Sequence, residues 1–267
     1  MPPLKSEGII LKSVNWKEQS KVITVFTDNA GMQTIIDRGG RSLKTKRGRM
    51  MTFARLEIAY FKSEKSGTGY VAEAEPLETF QFEKEGTLGR LAFASAVLEL
   101  LYDLLPKDEP QEELYNLTIS YLRLINSKAK SSIIPLFLCY FLRLLSLLGY
   151  RPNFSGCIAC GKDKGKTAIP DSNGGRFHLF SPERGGLVCS ACQIAGEYYI
   201  KLQSDRLYKI NSLQTASLVE AVELKLKLEE AEEILELLIG FLKYQTGSKD
   251  LKSLQFLEKL KKTNLKL

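Results

Sequence analysis

Four cysteines in two short pairs constrain this chain more than any other feature. "GCIACG" sets Cys157 and Cys160 two residues apart, "CSAC" does the same for Cys189 and Cys192, and twenty-eight residues separate the pairs. A C-x-x-C turn places two thiolates side by side where backbone N–H groups can donate to the sulfurs, and two such turns complete a tetrahedral all-sulfur shell around a zinc ion. Four protein ligands leave no open coordination position, so the metal is expected to organise the surrounding fold and not to activate water. The long, symmetric spacing favours zinc over an iron–sulfur cluster. A redox C-x-x-C and two unrelated cysteine pairs are the alternatives. Cys139, the fifth cysteine, sits in an apolar helical run and reads as a small buried side chain.

The residues on either side of this insertion follow two different patterns. Up to about residue 80, "GIILK", "KVITVFT", "GMQTIID", "ARLEIAYF" and "GYVAEAE" are β-branched or alternating, with the turn-forming "TDNAG" and "SEKSG" between two of the pairs. Five short strands in that length predict a small barrel, OB-like, with an SH3-like barrel as the competitor. In "RLEIAYF" Leu56, Ile58 and Tyr60 share one face, and Arg55, Glu57 and Phe61 the other. After Pro76 apolar residues recur at three and four residue intervals in "LGRLAFASAVLELLYDLL", "EELYNLTISYLRLIN" and "IPLFLCYFLRLLSLLGY", which predicts helices that pack as a bundle. Two or three more helices are expected from about Ser204, and the Lys and Glu residues of "LVEAVELKLKLEEAEEILELLIGFLKYQ" read as a solvated face. The expected class is therefore α+β: an N-terminal five-stranded OB-like barrel over 1–80 and a helical domain over 81–267, with a four-cysteine zinc knuckle inserted at 154–196.

The net charge of +7 is concentrated at the two ends of the chain. Between Arg38 and Arg49, "RGGRSLKTKRGR" holds Arg38, Arg41, Lys44, Lys46, Arg47 and Arg49 with no acid, and without it the first eighty residues would be net negative. This loop joins the third and fourth strands, so its cations are expected at a barrel rim beside Tyr60, Phe61 and Tyr70 of the sheet and Trp16 and Phe53 in loops. Cations for phosphates next to aromatic rings for bases suit single-stranded nucleic acid. A solvated loop over core aromatics is the plainer reading. Lys249, Lys252, Lys259, Lys261 and Lys262 form a second basic stretch near the C-terminus.

Enzymatic readings find little support. His178 is the single histidine, so any Ser–His or Cys–His nucleophile would have to use it, and no G-x-S-x-G context accompanies it. With four cysteines available, His178 reads as a packing or surface residue and not as a ligand. The basic loop lacks the G-x-x-x-x-G-K-[ST] spacing of a phosphate loop, and the barrel region holds no acidic cluster at two-metal spacing. With no leader-like start and the longest apolar run interrupted at Pro135, the chain is expected to be cytoplasmic with no membrane partner.

The order of barrel, helices and inserted knuckle resembles the RecO family of bacterial recombination mediators. The resemblance is carried by "GIILKSVNWKEQSKVITVFTDNAGM" and "GGRSLKTKR", by "LRLLSLLGYRPNFSGCIACG" with "FSPERGGLVCSAC", and by "GSKDLKSLQFL", and it spans nearly the whole chain. It implies a non-enzymatic protein that binds single- and double-stranded DNA, anneals complementary strands, and with RecR helps RecA load onto DNA coated by single-stranded DNA-binding protein (SSB). Nucleoid association follows from that role. The six cations of the 38–49 loop then become the DNA contacts, and Cys157, Cys160, Cys189 and Cys192 the ligands of one structural zinc. An acidic SSB tail would need an apolar slot with cationic rim, sought beside Arg123 or Arg143. Two residues depart from the family pattern: Asp37 precedes the loop where a basic or small residue is common, and Thr52 stands where proline often precedes the phenylalanine. A metal-dependent nucleic-acid enzyme and a zinc-stabilised protein scaffold are the alternatives from other classes.

Overall fold

The structure, a computed structural model, describes residues 2–41, 50, 52–63, 67–82, 88–127, 133–172 and 174–247. They fall into two compact units divided after Ser127.

The first unit is built on β1 (Leu4–Trp16), β2 (Ser20–Thr27), β3 (Gly31–Asp37), β4 (Ala54–Lys62) and β5 (Gly69–Thr79), which close a barrel in the order β1-β2-β3-β5-β4. Neighbours are antiparallel except β3 and β5, which run parallel at Ile35↔Gly69 and Ile36↔Tyr70. That crossover gives the five-stranded Greek-key closure of an OB fold and not of an SH3-like barrel. Alternation fills the interior: Ile10, Ile23, Val25, Ile35, Leu56, Ile58, Tyr60 and Val71 form one core cluster, joined by Met50 from the far end of the basic loop. A register shift between Ile10 and Lys12 bends β1, so that one strand pairs with β4 at its start and with β2 further on. Strand β5 runs on through Pro76, past the point where the sequence pattern changes. At Pro76 β5 pairs only with β4, so a residue without an N–H is tolerated there.

Two helices complete this unit, α1 (Leu88–Leu104) and α2 (Glu112–Ser127). The segment between them lies against the β2–β3 turn. A Cβ on Gly31, whose φ is 70°, would fall 2.1 Å from the Glu109 carbonyl oxygen, so backbone meets backbone there and only glycine fits. Asp108 donates its N–H to Met32 O, and its carboxylate accepts from Lys62 and from Gln33 at 2.9 Å. The Lys62 ammonium, followed by Gln33, holds that carboxyl below its ordinary range against the opposing effect of burial.

In the second unit α3 (Ile133–Leu147) is the central helix, with eleven buried residues that leave it almost no polar face. Pro135 is tolerated because it lies in the first turn, where N–H groups lack helical partners. The helices α5 (Ser204–Thr215), α6 (Leu218–Ala221) and α7 (Leu228–Thr246) pack on α3. The bundle expected of the first three helical segments is thus distributed: α1 and α2 belong to one unit, α3 to the other. The long amphipathic stretch after residue 217 holds two of these helices, so three follow from Ser204 among the described residues, within the two or three expected. Ser217 and Glu220 cap α6 reciprocally, and the Lys227 N–H donates to the Glu230 carboxylate at the start of α7. Glu230 departs from the solvated face expected of it. It is buried and receives the Arg206 guanidinium at 3.2 Å.

Between α3 and α5 runs a small sheet of β6 (Asn153–Cys157), β7 (Ile169–Pro170), β8 (Arg176–Ser181), β9 (Gly186–Val188) and β10 (Ile200–Gln203), ordered β10-β8-β9-β6 with β7 on β8. A short helix, α4 (Lys164–Thr167), follows β6. Phe154 stacks on Phe180 at 5.2 Å and Phe180 meets Phe241 of α7 edge-on at 5.8 Å, which fastens the sheet to the helices. No described helix is long and apolar enough to cross a membrane.

Candidate nucleic-acid interface and metal centre

One rim of the barrel gathers cations over aromatic rings. Trp16 ends β1, paired with Ser20 across the turn to β2, and Lys17 makes that turn with a φ of 54°. The Lys17 ammonium lies 4.3 Å from the centre of the Trp16 ring, and the Arg38 guanidinium, just past β3, lies 4.3 Å over the Tyr70 ring of β5. Arg41 joins the two: its N–H donates to Gln19 O at 3.2 Å and its guanidinium to Lys17 O at 3.1 Å. Asp37, the departure before the loop, is buried with its carboxylate folded over Gly40, where a Cβ would come within 2.2 Å of Oδ2. Lys44, Lys46, Arg47 and Arg49 lie outside the described residues.

The aromatic residues sort differently from expectation. Tyr60 is 1% exposed and points into the core with Leu56 and Ile58, as their shared period-two face requires. Phe53 is held at a φ of 64° with its ring edge-on to Phe82 at 5.2 Å, and so belongs to the packing below the rim. Trp16 is part of a strand and not of a loop, and it remains 38% exposed; Phe61 is 48% exposed. Lys17 is not among the contacts expected from the sequence. The "NWKEQS" turn offers the signal, a cation directly after an aromatic residue. Cations set on ring faces at one rim can neutralise phosphates while the rings meet bases.

Of the two arginines sought for an acidic tail, Arg123 grips Glu78 through two nitrogens at 2.8–3.1 Å, and Arg143 donates to Ala216 O at 2.9 and 3.2 Å. Both guanidinium groups therefore already hold internal partners.

The cysteines converge as their spacing predicts. The sulfurs of Cys157, Cys160, Cys189 and Cys192 all lie within 4.8 Å of one another, and those of Cys160 and Cys189 are 3.7 Å apart. A tetrahedron with metal–sulfur bonds of about 2.3 Å has edges of about 3.8 Å, so this set fits one metal ion. The first turn is made by Cys157 N–H donating to Lys162 O at 2.7 Å and Gly161 N–H to Cys157 O at 2.8 Å. Gly156 is required beneath it, since a Cβ would fall 2.5 Å from Lys162 O. The second turn is a single 3-10 turn, Ser190–Cys192, directly after β9. Burial pushes the Cys157 thiol up, but the N–H groups of Cys189, Cys160 and Ala159 aimed at its sulfur bring it well below the ordinary range. Cys192 is driven the other way by sharing hydrogen bonds with Cys189 and Cys160. Sulfurs crowded in this way favour one anion and oppose the next unless a cation lies among them.

A polar network braces the second turn. Glu197 accepts from Ser181, from Arg184 at 2.9 Å and from the Tyr199 hydroxyl at 2.8 Å; Tyr199 accepts from Ile194 N–H at 2.8 Å; and Arg184 reaches Cys192 O at 3.4 Å. Burial works to raise the Glu197 carboxyl, yet these donors, Ser181 first, keep it below its usual range. His178 stands apart from the metal set. It is buried, with Nδ1 2.9 Å from the Thr167 hydroxyl and Nε2 3.2 Å from that of Ser204. Both hydroxyls also donate to backbone carbonyls, Thr167 to Lys164 O at 2.8 Å and Ser204 to Arg176 O at 3.0 Å, so each is left with an oxygen that can accept from the ring. This is a packing role.

A family profile described as Recombination protein O N terminal matches residues 1–80, and one described as Recombination protein O C terminal matches residues 85–255. Proteins named DNA repair protein RecO are similar along most of the chain. That of Symbiobacterium thermophilum is 28% identical over 256 residues, 96% of either chain. That of Desulfatibacillum aliphaticivorans is 27% identical over 264 residues, covering 98% of this chain and 99% of its own. That of Chloroherpeton thalassium is 25% identical over 241 residues, covering 90% and 92%.

Proposed function

The chain belongs to the recombination protein O family, with a role in DNA repair and recombination, and from that premise we propose that it is a non-catalytic DNA-binding mediator. It binds single- and double-stranded DNA, anneals complementary strands and, with RecR, promotes RecA loading onto SSB-coated single strands in the bacterial cytoplasm, at the nucleoid. The rim of Trp16, Lys17, Arg38, Arg41 and Tyr70 is the observation that carries this reading. Annealing brings together two strands that repel each other, and a protein that neutralises phosphates while leaving base edges free lowers that barrier without any catalytic group. The loop cations Lys44, Lys46, Arg47 and Arg49 extend the same contact, with residues 1–80 as the nucleic-acid-binding domain and 81–267 as the helical one.

The four cysteines hold one zinc ion. As a closed all-sulfur site it supplies folding energy and no open position for chemistry, and residues 154–196 form the element it organises.

One assay tests the reading: DNA binding and annealing over a salt series, with chelator present and nucleotide absent. Salt-sensitive binding and annealing are expected. Divalent-ion-dependent turnover would indicate the enzyme instead, and partner binding with no DNA affinity the scaffold.

A further inference from the structure

Away from the barrel rim and the cysteines, the second unit carries a slot of about 320 Å³. Its floor is apolar, with Leu207 of α5 buried there, while His178 and Ser204 form its back. Lys164 of α4, Arg176 of β8 and Tyr208, which is 71% exposed, line it as well, all three open to solvent. The slot is lined by two cations and no acid, and neither cation has an acidic partner among the described residues. Both cations act at the back of the slot: burial first, then Arg176 and Lys164, hold the His178 imidazole below its ordinary range. An exposed aromatic ring of this size, left beside unpaired cations, is not accounted for by packing within the unit.

We infer that this slot is a second contact for single-stranded nucleic acid, in which a base lies against the Tyr208 ring and the neighbouring phosphates meet Lys164 and Arg176. The inference rests on the reading of the chain as a DNA-binding protein and extends it. Charge complementarity calls for an anionic occupant. The flat, exposed ring selects a nucleotide over an acidic peptide, because base–aromatic stacking contributes about 1–3 kcal/mol per base and needs no sequence match. A second contact also gives annealing what one rim alone lacks, a separate place to neutralise the second strand.

The test uses the full-length, metal-bound protein. With an oligonucleotide carrying 5-iododeoxyuridine, irradiation and peptide mapping should find adducts at Tyr208 as well as at the barrel rim. In the variant K164A/R176A/Y208A, oligonucleotide stoichiometry should fall from two to one and annealing should drop by about tenfold or more, as two phosphates and one base are left without partners. Melting temperature and metal content should hold, since all three side chains are exposed. If the variant fails to fold, the adducts on the unmodified protein decide. Adducts confined to the barrel, or a folded variant with unchanged stoichiometry and annealing, overturn the inference and leave the DNA-binding reading standing. Unmodified protein that binds no oligonucleotide overturns both. A short acidic peptide that binds the unmodified protein and is lost from the variant, with oligonucleotide stoichiometry unchanged, makes the slot a peptide site and also overturns it.

Discussion

The Arg41 guanidinium donates to the Lys17 carbonyl oxygen across 3.1 Å, so the start of the basic loop is tied to the turn between β1 and β2. Two stretches of sequence that look unrelated thereby present one surface.

Replacing Lys17 and Arg38 together by alanine should flatten the slope of log affinity against log salt by about 1.4, roughly 0.7 for each single-strand phosphate no longer neutralised. Replacing Arg41, Lys44 and Arg47 should flatten it by about 2 on the same scale. Anisotropy of a labelled oligonucleotide across a salt series measures both. Lines parallel to that of the unmodified protein would remove these residues from the DNA site and turn attention to the lysines near the C-terminus.

Trp16 is the only tryptophan of the chain and is partly exposed at that rim. Its emission should be quenched when a single strand binds, and W16A should weaken binding by about 1–3 kcal/mol, roughly 5- to 150-fold. Emission unchanged at saturating DNA would show that no base reaches the ring.

Protein purified without added metal should carry one zinc per chain, and C189S should lose it together with much of the thermal stability of the second unit, because binding and local folding are linked. Elemental analysis and a melting curve give the answer. An iron chromophore, or four freely titratable thiols and no metal, would contradict the assignment.

The brace behind the second turn should be costly to break. Glu197 is 6% exposed at its side chain and faces Arg184, so E197A leaves a half-buried guanidinium with one partner fewer and should destabilise by about 2–4 kcal/mol. Chelator competition should show weaker metal retention, since Arg184 also reaches the Cys192 carbonyl. Denaturant unfolding with the loss under about 0.5 kcal/mol, the range of ordinary surface changes, would mean that the network contributes nothing.

His178 makes stability depend on pH in a defined sense. Its folded-state proton affinity is lowered by burial and then by Arg176 and Lys164, so below about pH 6.5 the unfolded chain takes up the extra proton. The contribution is therefore complete above that pH and is lost as pH falls through it. With a single histidine in the chain, one imidazole resonance reports the titration by proton NMR, and its midpoint should lie below about 6.5. H178Q should remove this part of the acid sensitivity. A midpoint at or above the ordinary value would refute the assignment.

Much of the molecule is legible in its sequence because it is local. Two C-x-x-C turns announce their own geometry, and alternation marks the interior face of β4, so the cysteine cluster and the barrel can be read from the chain alone. What escapes depends on residues far apart in the chain. Tyr60 reads as an aromatic offered to a ligand only if its own strand face, which assigns it to the core, is overlooked. Trp16 looks like a loop residue because nothing local shows that β1 continues to meet Ser20. Pro76 looks like the end of the strands, but whether β5 needs an N–H there is decided by the absence of a second neighbour. Glu230 looks like one more solvated acid, yet Arg206, twenty-four residues earlier, lies beside it. Lys17 lies over the neighbouring Trp16 ring, but its tie to the basic loop comes from Arg41, on the far side of β2 and β3.

Met50 is buried in the barrel core while Arg41 is fastened to the β1–β2 turn, so the described residues on either side of the 42–49 span are both held by the barrel. For the fold, the length of such a span is nearly a free variable, since doubling a loop costs only about 0.6 kcal/mol. For binding it is not free. Charges tethered at both ends are offered to a nearby strand at an effective concentration that falls as the tether lengthens, so a neutral insertion there should leave melting unchanged and weaken DNA binding without removing a single cation.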